Sequence, residues 1–195
     1  VKHVHDYIDA GSDIITVHAE VCDESSFGEI CDILNSNQVG IGLAINPDTE
    51  LPQWCYKFVE LLDQIIIMSV VPGKSGQKFI ESTHEKIRRI AKDLKEHKFE
   101  GYIEADGGVN LENIGACFED GARAFVGGSA IIGQNDVRMI IKEFRNQVLE
   151  SRRRMLIKKA HDLGGTELVN SWIDLHVVGE KKDKLVQIEK ELEFQ

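Results

Sequence analysis

The sequence predicts an α/β fold in which short buried strands alternate with amphipathic helices. Five short apolar runs, continuous enough for parallel strands covered on both faces, occupy residues 13–18, 39–45, 64–70, 101–105 and 124–126. Helical patterns long enough for right-handed crossovers separate these runs. Repeated strand-then-helix units indicate either a doubly wound sheet or a closed barrel.

The chain begins directly in a helical pattern formed by Val4, Tyr7 and Ile8, with no capping residue before it. We interpret the start at Val1, which has no preceding Met, as a truncation; a processed terminus is the alternative. Gly11 is expected to end this helix before the first strand begins.

Four crossover helices are predicted from apolar residues at helical spacing. They cover residues 26–35, 51–62, 83–96 and 111–120. Gly121 is expected to end the last of them.

Beyond the last strand the pattern changes. A long amphipathic helix is predicted from Asn135 to about Lys159, and residues 180–195 are charged but carry apolar residues at helical spacing. We therefore expect an α/β domain over residues 1–150. Residues 151–195 are expected to form a helical C-terminal extension of unknown role, which offers a surface for homo-oligomer formation.

Composition narrows the class of partner. The 195 residues carry a net charge of -10 at pH 7, which argues against a nucleic-acid binder because phosphate backbones favour clustered Lys and Arg. No apolar run is long enough to span a bilayer, and no signal peptide is visible.

The cysteines, which form no CxxC pair, are typical of buried thiols in a reducing compartment; they are Cys22, Cys31, Cys55 and Cys117. The protein is expected to be cytoplasmic, with no nucleic-acid or membrane partner.

Three glycine-bearing loops follow predicted strands, at residues 72–77, 106–108 and 127–129. In a closed parallel barrel such loops gather on one face, and that face carries the active site. Glycine lets backbone amides approach an anion closely, and successive amides form a positive nest. Taken singly, each glycine pair favours a tight turn. Together the loops predict a phosphate site made largely of main chain.

Asp106 is the candidate catalytic carboxylate. It ends a predicted strand and is followed at once by two glycines, which leave room for a ligand. The alternative is a turn or N-cap aspartate that stabilises the next segment. The residues alone support the catalytic and the turn-stabilising interpretation of Asp106 equally.

Residues 1–150 resemble the ribulose-phosphate 3-epimerase family, from the helix before the fourth barrel strand to the last barrel helix. The similar blocks lie at residues 10–13, 17–20, 42–49, 68–79, 103–109 and 128–131. The most specific of them are PG-xx-GQ-x-F at residues 72–79 and E-x-DGG at residues 104–108.

The resemblance implies a (β/α)8 TIM barrel of the ribulose-phosphate binding type that lacks roughly its first three strands. It also implies metal-dependent C3 epimerisation of D-ribulose 5-phosphate to D-xylulose 5-phosphate, a step of the pentose phosphate pathway. In the family one aspartate removes the C3 proton, a second aspartate returns a proton on the opposite face, and a divalent metal stabilises the enediolate. The implied partner is a phosphorylated ketose and the implied cofactor is Zn, Fe, Mn or Co.

Carried over by position, Asp106 matches the family aspartate that is both a metal ligand and an acid/base group. The substrate-binding residues that the match implies, beside Asp106, are Gly73, Lys74, Ser75, Gly76, Gly107, Gly108, Gly128 and Ser129. Met68 matches a methionine that lines the family's site, with core packing as the alternative.

The family's other metal ligands have no counterpart in this sequence. They are a His-x-Asp pair and a further histidine on strands two and three, and the pair supplies the second acid/base aspartate. His3 and His5 lie on a predicted helix and are poor substitutes, whereas His18 and Glu20 match the family pattern without an implied metal role. The chain alone is therefore expected to be inactive.

The covering loop also departs from the family. The family usually has an acidic or amide residue where Val71 stands, an aromatic or apolar residue at Lys74, and glycine at Ser75. Three interpretations stay open: a pentulose-phosphate epimerase, an epimerase for a hexulose phosphate such as allulose 6-phosphate, and a non-catalytic phosphosugar-binding or assembly protein.

Overall fold

The computed structural model describes residues 1–74 and 76–162. Within them, five parallel strands form one sheet in chain order: β1 (Ile14–His18), β2 (Gly40–Ile45), β3 (Gln64–Met68), β4 (Tyr102–Asp106) and β5 (Ala124–Val126). Each apolar run that predicts a strand does form one, so the predicted α/β class is confirmed. Parallel pairing brings the carboxyl ends of all five strands to the same edge of the sheet.

The helices occupy the crossovers and the chain beyond β5. They are α1 (Val4–Asp9), α2 (Glu24–Ser36), α3 (Thr83–Glu96), α4 (Ile114–Asp120), α5 (Gly128–Ile132) and α6 (Val137–Asp162). Short 3-10 helices cover Ala19–Val21, Gln53–Lys57 and Val59–Leu61. Gly11 and Gly121 follow α1 and α4 with φ of 84° and 125°, as expected of glycines that end helices.

The prediction of an α-helix over residues 51–62 is wrong. The segment forms the last two 3-10 helices named above, which meet at Phe58, where φ is -111° and ψ is 3°. Leu51, Cys55 and Val59 are all buried. The apolar spacing that predicted an α-helix therefore reflects which side chains are buried, and a 3-10 path buries them equally well.

One face of the sheet is covered by helices and forms the apolar core. Leu43, Ile65 and Ile103 alternate with their neighbours toward this face and are at most 5% exposed. Helix α2 contacts β2, and helix α3 contacts β3. Burying each such side chain stabilises the fold by about 1.5–3 kcal/mol.

The opposite face of the sheet, called the polar face below, carries Thr16, Gln64, Tyr102, Glu104 and Asp106. Tyr102 Oη donates to Gln64 Oε1 at 2.6 Å, and Gln64 Nε2 donates to Thr16 Oγ1 at 2.6 Å. Gly42 lies between Thr16 and Gln64 in the register, and a Cβ at Gly42 would lie 2.1 Å from Thr16 Oγ1. Glycine at this position therefore lets the hydrogen bond cross the sheet.

By internal contacts the chain divides into Val1–Gln147, which holds the sheet, and Val148–Gln195. The second unit is described only as the end of α6, so the helical pattern predicted at residues 180–195 lies outside the described residues. None of the described helices is long and apolar enough to cross a membrane. Cys22 is half-buried, and the other three cysteines are buried free thiols.

Candidate functional site

Asp106 is the last residue of β4 and lies at the carboxyl edge of the sheet. In the register it stands between Met68 of β3 and Val126 of β5. The carboxyl group is half-buried, and this burial raises the pKa of Asp106 above its ordinary value, while the charge of His18 acts in the opposite direction. The next helix begins at Ile114 with Asn113 as its N-cap residue, well beyond Asp106 in the chain. Asp106 thus presents a carboxylate with raised proton affinity at the mouth of the sheet.

A second carboxyl group lies on the same strand face. Glu104 precedes Asp106 by two residues, which is the spacing that places two strand residues on one side. Burial, and then the charge of Asp106, raise the pKa of Glu104. Sequence reasoning used Glu104 only as part of a motif. Its position two residues before Asp106 on a strand is the signal that identifies it as a neighbour.

The carboxyl ends of β1 and β2 are tied together beside this edge. His18 Nδ1 lies 3.2 Å from a Glu20 carboxylate oxygen, and the Asn46 N–H donates to the other Glu20 oxygen at 2.6 Å. Although burial alone would raise it, hydrogen bonds involving Thr49 and Asn46 hold the pKa of Glu20 below its ordinary value. Glu20 is therefore ionised and orients both His18 and the loop after β2.

The loop after β3 has an open, exposed backbone. Gly73 and Gly76 have φ of 105° and 75°, and a Cβ on either would meet no atom within 4 Å. Gln77 Nε2 donates to the carbonyls of Val71 and Lys74, at 2.6 and 2.9 Å, which closes the base of the loop. Lys74 is exposed. The candidate residue Ser75 lies outside the described residues.

The loop after β4 is rigid. Gly107 and Gly108 have φ of 116° and 65°, and a Cβ on Gly108 would lie 2.4 Å from the backbone nitrogen of Phe79. Ser69 Oγ donates to the Gly107 carbonyl at 2.6 Å, and Asn113 Nδ2 donates to the Gly108 carbonyl at 3.1 Å. Only glycine fits these two positions. The loop after β4 is therefore fixed close to the loop after β3.

Gly128 and Ser129 are the first two residues of α5, so the predicted glycine loop after β5 continues at once into a short helix. Both residues are exposed. A cavity of about 720 Å³ brings Ser129 together with Gly108 of the preceding loop. All three predicted phosphate loops thus contribute to one cavity, the loop at residues 72–77 only through Gln77. Gly73, Lys74 and Gly76 are not among the residues that line it.

The same cavity holds a histidine that sequence reasoning missed. His84, in the first turn of α3, lines it, and the ring Nδ1 lies 2.6 Å from Asp120 at the end of α4. The two residues are 36 positions apart, and neither belongs to a glycine loop. Nothing in the local sequence pattern signals the pairing.

The described residues fit only part of a metal site. Among residues 1–74 and 76–162, no three His, Cys, Asp or Glu side chains come together in a group that could hold a metal ion. His3 and His5, the poor substitutes, lie at the N-cap and within α1, and both are exposed. Asp106 is a half-buried carboxylate at the carboxyl edge of the sheet, and carboxylate oxygens are ligands that divalent ions accept.

Comparison with known proteins identifies similar sequences. The profile of the Ribulose-phosphate 3 epimerase family matches residues 1–132. The ribulose-phosphate 3-epimerase of Escherichia coli (strain K12) is 38% identical over 145 residues, which are 74% of this chain and 63% of the relative. The enzyme of Bacillus subtilis (strain 168) is 36% identical, with 74% and 65% covered. The chain thus spans about three fifths of the length of the curated relatives it matches.

Solved structures show the same fold at lower sequence identity. The 3-hexulose-6-phosphate synthase from Salmonella typhimurium superposes with a TM-score of 0.56 at 17% identity, covering 77% of this chain and 68% of that chain. The structure of KGPDC from Streptococcus mutans gives a TM-score of 0.52 at 16% identity, with 76% and 66% covered. These likenesses concern the fold alone, and they place the five parallel strands in the α/β barrel class.

Proposed function

Since the chain belongs to the ribulose-phosphate 3-epimerase family, we propose that it serves the C3 epimerisation of D-ribulose 5-phosphate to D-xylulose 5-phosphate. The observation that carries the proposal is Asp106, a half-buried carboxylate that ends β4 inside the E-x-DGG motif. The raised pKa of this group, which results from burial, makes it a stronger base when ionised.

In the proposed reaction Asp106 moves a proton at C3 of the ketose. The C3–H bond breaks as the proton passes to the carboxylate, its electron pair forms the C2–C3 double bond, and the π pair of the C2 carbonyl moves to its oxygen to give the enediolate. A proton returned to the opposite face of C3 inverts the centre. That second proton requires an acid on the other side of the substrate, for which the sequence offers no family match.

The substrate phosphate is proposed to bind at the glycine-rich loops. Gly108 and Ser129 line one cavity. Ser129 matches the family's phosphate grip, and Gly108 matches backbone that contacts the substrate. Gly107 and Gly128 extend the same two segments, while Gly73, Lys74, Ser75 and Gly76 are proposed to cover the sugar. Backbone amides next to glycine suit a phosphate because they can approach it closely.

The divalent metal implied by the resemblance would stabilise the negative charge of the enediolate when bound. Asp106 fits one of its ligands, and the other described residues do not complete a site. Turnover by a chimera that restores the first three strands is expected to be lost with a chelator and restored by Zn, Fe, Mn or Co.

Two alternatives have specific support. The departures at Val71, Lys74 and Ser75 alter the covering loop, which favours a different sugar such as allulose 6-phosphate. The lack of a three-ligand metal group among the described residues favours a non-catalytic phosphosugar-binding or assembly protein.

The test is a chimera in which the first three strands of the Escherichia coli relative precede residue 1 of this chain. We expect it to form xylulose 5-phosphate from ribulose 5-phosphate, and to act more slowly on allulose 6-phosphate. Faster turnover of the hexulose phosphate would support the first alternative. A folded chimera that binds both esters and converts neither would support the second.

A further inference from the structure

The cavity that joins Gly108 and Ser129 also contains ionisable side chains with no part in the proposed chemistry. Its volume is about 720 Å³, and its walls come from the loop before α3, from α3 itself, from the start of α4 and from α5. Lys78 and His84 are the basic residues that line it, and Glu81 and Glu112 are the acidic ones. Glu112 and Lys78 are exposed, and the Glu81 side chain is 85% exposed.

His84 is held firmly on one side. Its Nδ1 lies 2.6 Å from Asp120 Oδ2, and the Asp120 side chain is only 7% exposed. The other oxygen, Asp120 Oδ1, accepts from Arg88 Nε at 3.0 Å and from Arg88 Nη2 at 2.7 Å. The His84 ring also lies 4.8 Å from the ring of Phe79, centre to centre. The ring therefore has one fixed orientation.

This orientation leaves Nε2 as the ring atom available to a ligand. It lies 4.0 Å from Glu81 Oε2, which is within ion-pair distance but too long for a hydrogen bond, so a ligand at Nε2 competes with the exposed Glu81 carboxylate. A carboxylate at Nδ1 keeps the proton of the neutral ring on that nitrogen, as in histidines whose second nitrogen binds a ligand. When the ring is doubly protonated, Nε2 donates a charge-assisted hydrogen bond, which suits a phosphate oxygen.

We propose that His84 is an anion-binding residue, and that its Nε2 contacts a phosphate group held in this cavity beside Ser129 and Gly108. Lys78 adds a second positive charge, whereas Glu81 and Glu112 oppose binding from the exposed rim. The inference rests on the proposed function only in taking Gly108 and Ser129 as phosphate contacts. Asp120 acts as a positioning residue, because it touches His84 and not the ligand.

The direct test is nitrogen-15 NMR of the histidine rings in the 195-residue chain during titration with inorganic phosphate. We expect the His84 Nε2 resonance to move saturably toward the value of a protonated nitrogen, since a bound phosphate favours the donating form. The resonances of His5 and His97, both exposed, should not follow the same curve. A His84 Nε2 resonance that does not shift at any phosphate concentration in the titration would overturn the proposal.

A variant gives the second readout. In His84→Gln the side-chain amide can still donate to Asp120 but cannot carry charge, so phosphate should bind at least about tenfold more weakly. The matched control His5→Gln, on the exposed side of α1, should bind as the unaltered chain does. Equal affinity in His84→Gln and the unaltered chain would contradict the proposal. If His84→Gln does not fold, the NMR titration decides.

The phosphate group could belong to the substrate or to a separate ion. A competition experiment between ribulose 5-phosphate and inorganic phosphate distinguishes these two sources. Ribulose 5-phosphate that displaces inorganic phosphate from His84 identifies the substrate's own phosphate. Simultaneous binding of both identifies a separate phosphate subsite, and either result supports the role of His84. Because binding is measured without turnover, the role of His84 can be supported even if the chain is not an epimerase. A His84 resonance that does not respond to phosphate contradicts only the role of His84 and not the epimerase proposal.

Discussion

Two carboxyl groups share the carboxyl end of β4, and their surroundings favour the protonated form of each. Glu104 and Asp106 are both half-buried on the polar face, and the charge of Asp106 adds to the effect of burial on Glu104. A raised pKa costs stability at neutral pH, because the folded protein must hold a charge in a poorly solvated place. Acid/base groups are commonly placed in surroundings of this kind.

The pH dependence of stability follows from the direction of the Glu104 shift. The ordinary carboxyl pKa is 4.5, and burial raises the value in the folded protein. As the pH rises from 4.5 through the folded value, the unfolded chain loses its proton first, so the free energy of unfolding falls. Glu104→Gln removes this loss and should be more stable than the unaltered chain at neutral pH, with the difference shrinking toward pH 4.5.

Urea unfolding across this pH range measures the effect. Glu100→Gln is the matched control, because Glu100 is exposed and precedes the same strand. As a substitution of an exposed side chain, it should change the free energy of unfolding by less than about 0.5 kcal/mol. A Glu104→Gln curve parallel to that of the unaltered chain would show that the two forms of Glu104 are equally well accommodated.

For individual residues, the sequence predicted only those site residues that a local pattern marks. Asp106 was found because it ends an apolar run and precedes Gly107 and Gly108. His84 and Asp120 were not found, because their hydrogen bond joins two helices whose packing is set by the fold. Phosphate-binding and catalytic roles for these residues remain predictions.

Among the elements, α3 anchors the loop that follows β2. Lys86 of α3 is 6% exposed, and its Nζ donates to the carbonyls of Asn46, Pro47 and Thr49. Burial lowers the pKa of Lys86, while the charges of Glu50 and Glu20 act in the opposite direction. The loop at the carboxyl end of β2 is thus fixed by one buried ammonium group.

Lys86→Met should therefore lower the free energy of unfolding by about 2–4 kcal/mol, because three carbonyls lose their donor while the apolar stem is retained. Lys92→Met, on the exposed side of the same helix, is the control and should change stability by less than about 0.5 kcal/mol. Urea denaturation of both variants measures the difference. Equal stabilities would mean that water replaces the ammonium group at the loop.

The elements also show where sequence patterns are reliable. Helix α3 begins and ends where its amphipathic pattern does, at Thr83 and Glu96. The pattern at residues 51–62 is similar in apolar spacing but belongs to 3-10 helices that begin after Pro52. Helix α4 starts at Ile114 and not at residue 111, because Asn110 and Asn113 form hydrogen bonds that hold the preceding turn. Boundaries set by side-chain hydrogen bonds are less predictable than apolar periodicity.

For the whole molecule, the sheet carries one covered face and one polar face. The described strand order places β1 and β5 at its two ends, each paired to a single described neighbour. The curated relatives are longer than this chain, which covers 63% of the Escherichia coli enzyme. We propose that further strands would pair with these ends and enclose the polar face, where Glu104 and Asp106 lie.

The chain alone is accordingly expected to show no epimerase turnover, since its described residues include one match to a family acid/base group, Asp106, and no group of three side chains that could hold a metal. The measurement is xylulose 5-phosphate formation by the 195-residue chain with each of Zn, Fe, Mn and Co. The chimera with the relative's first three strands is the positive control. Metal-dependent turnover by the chain alone would show that residues within it replace the missing aspartate and ligands.

The central claim is that Asp106 moves the C3 proton, and hydrogen exchange at C3 measures that step directly. In deuterated water, the chimera should incorporate deuterium at C3 of ribulose 5-phosphate. Asp106→Asn should lower that rate by a factor of about 10²–10⁴ with no loss of fold, because an amide cannot accept the proton. Asp9→Asn, an exposed change on α1, should leave the rate unchanged. Exchange by Asp106→Asn at a rate close to that of the parent chimera would contradict the account.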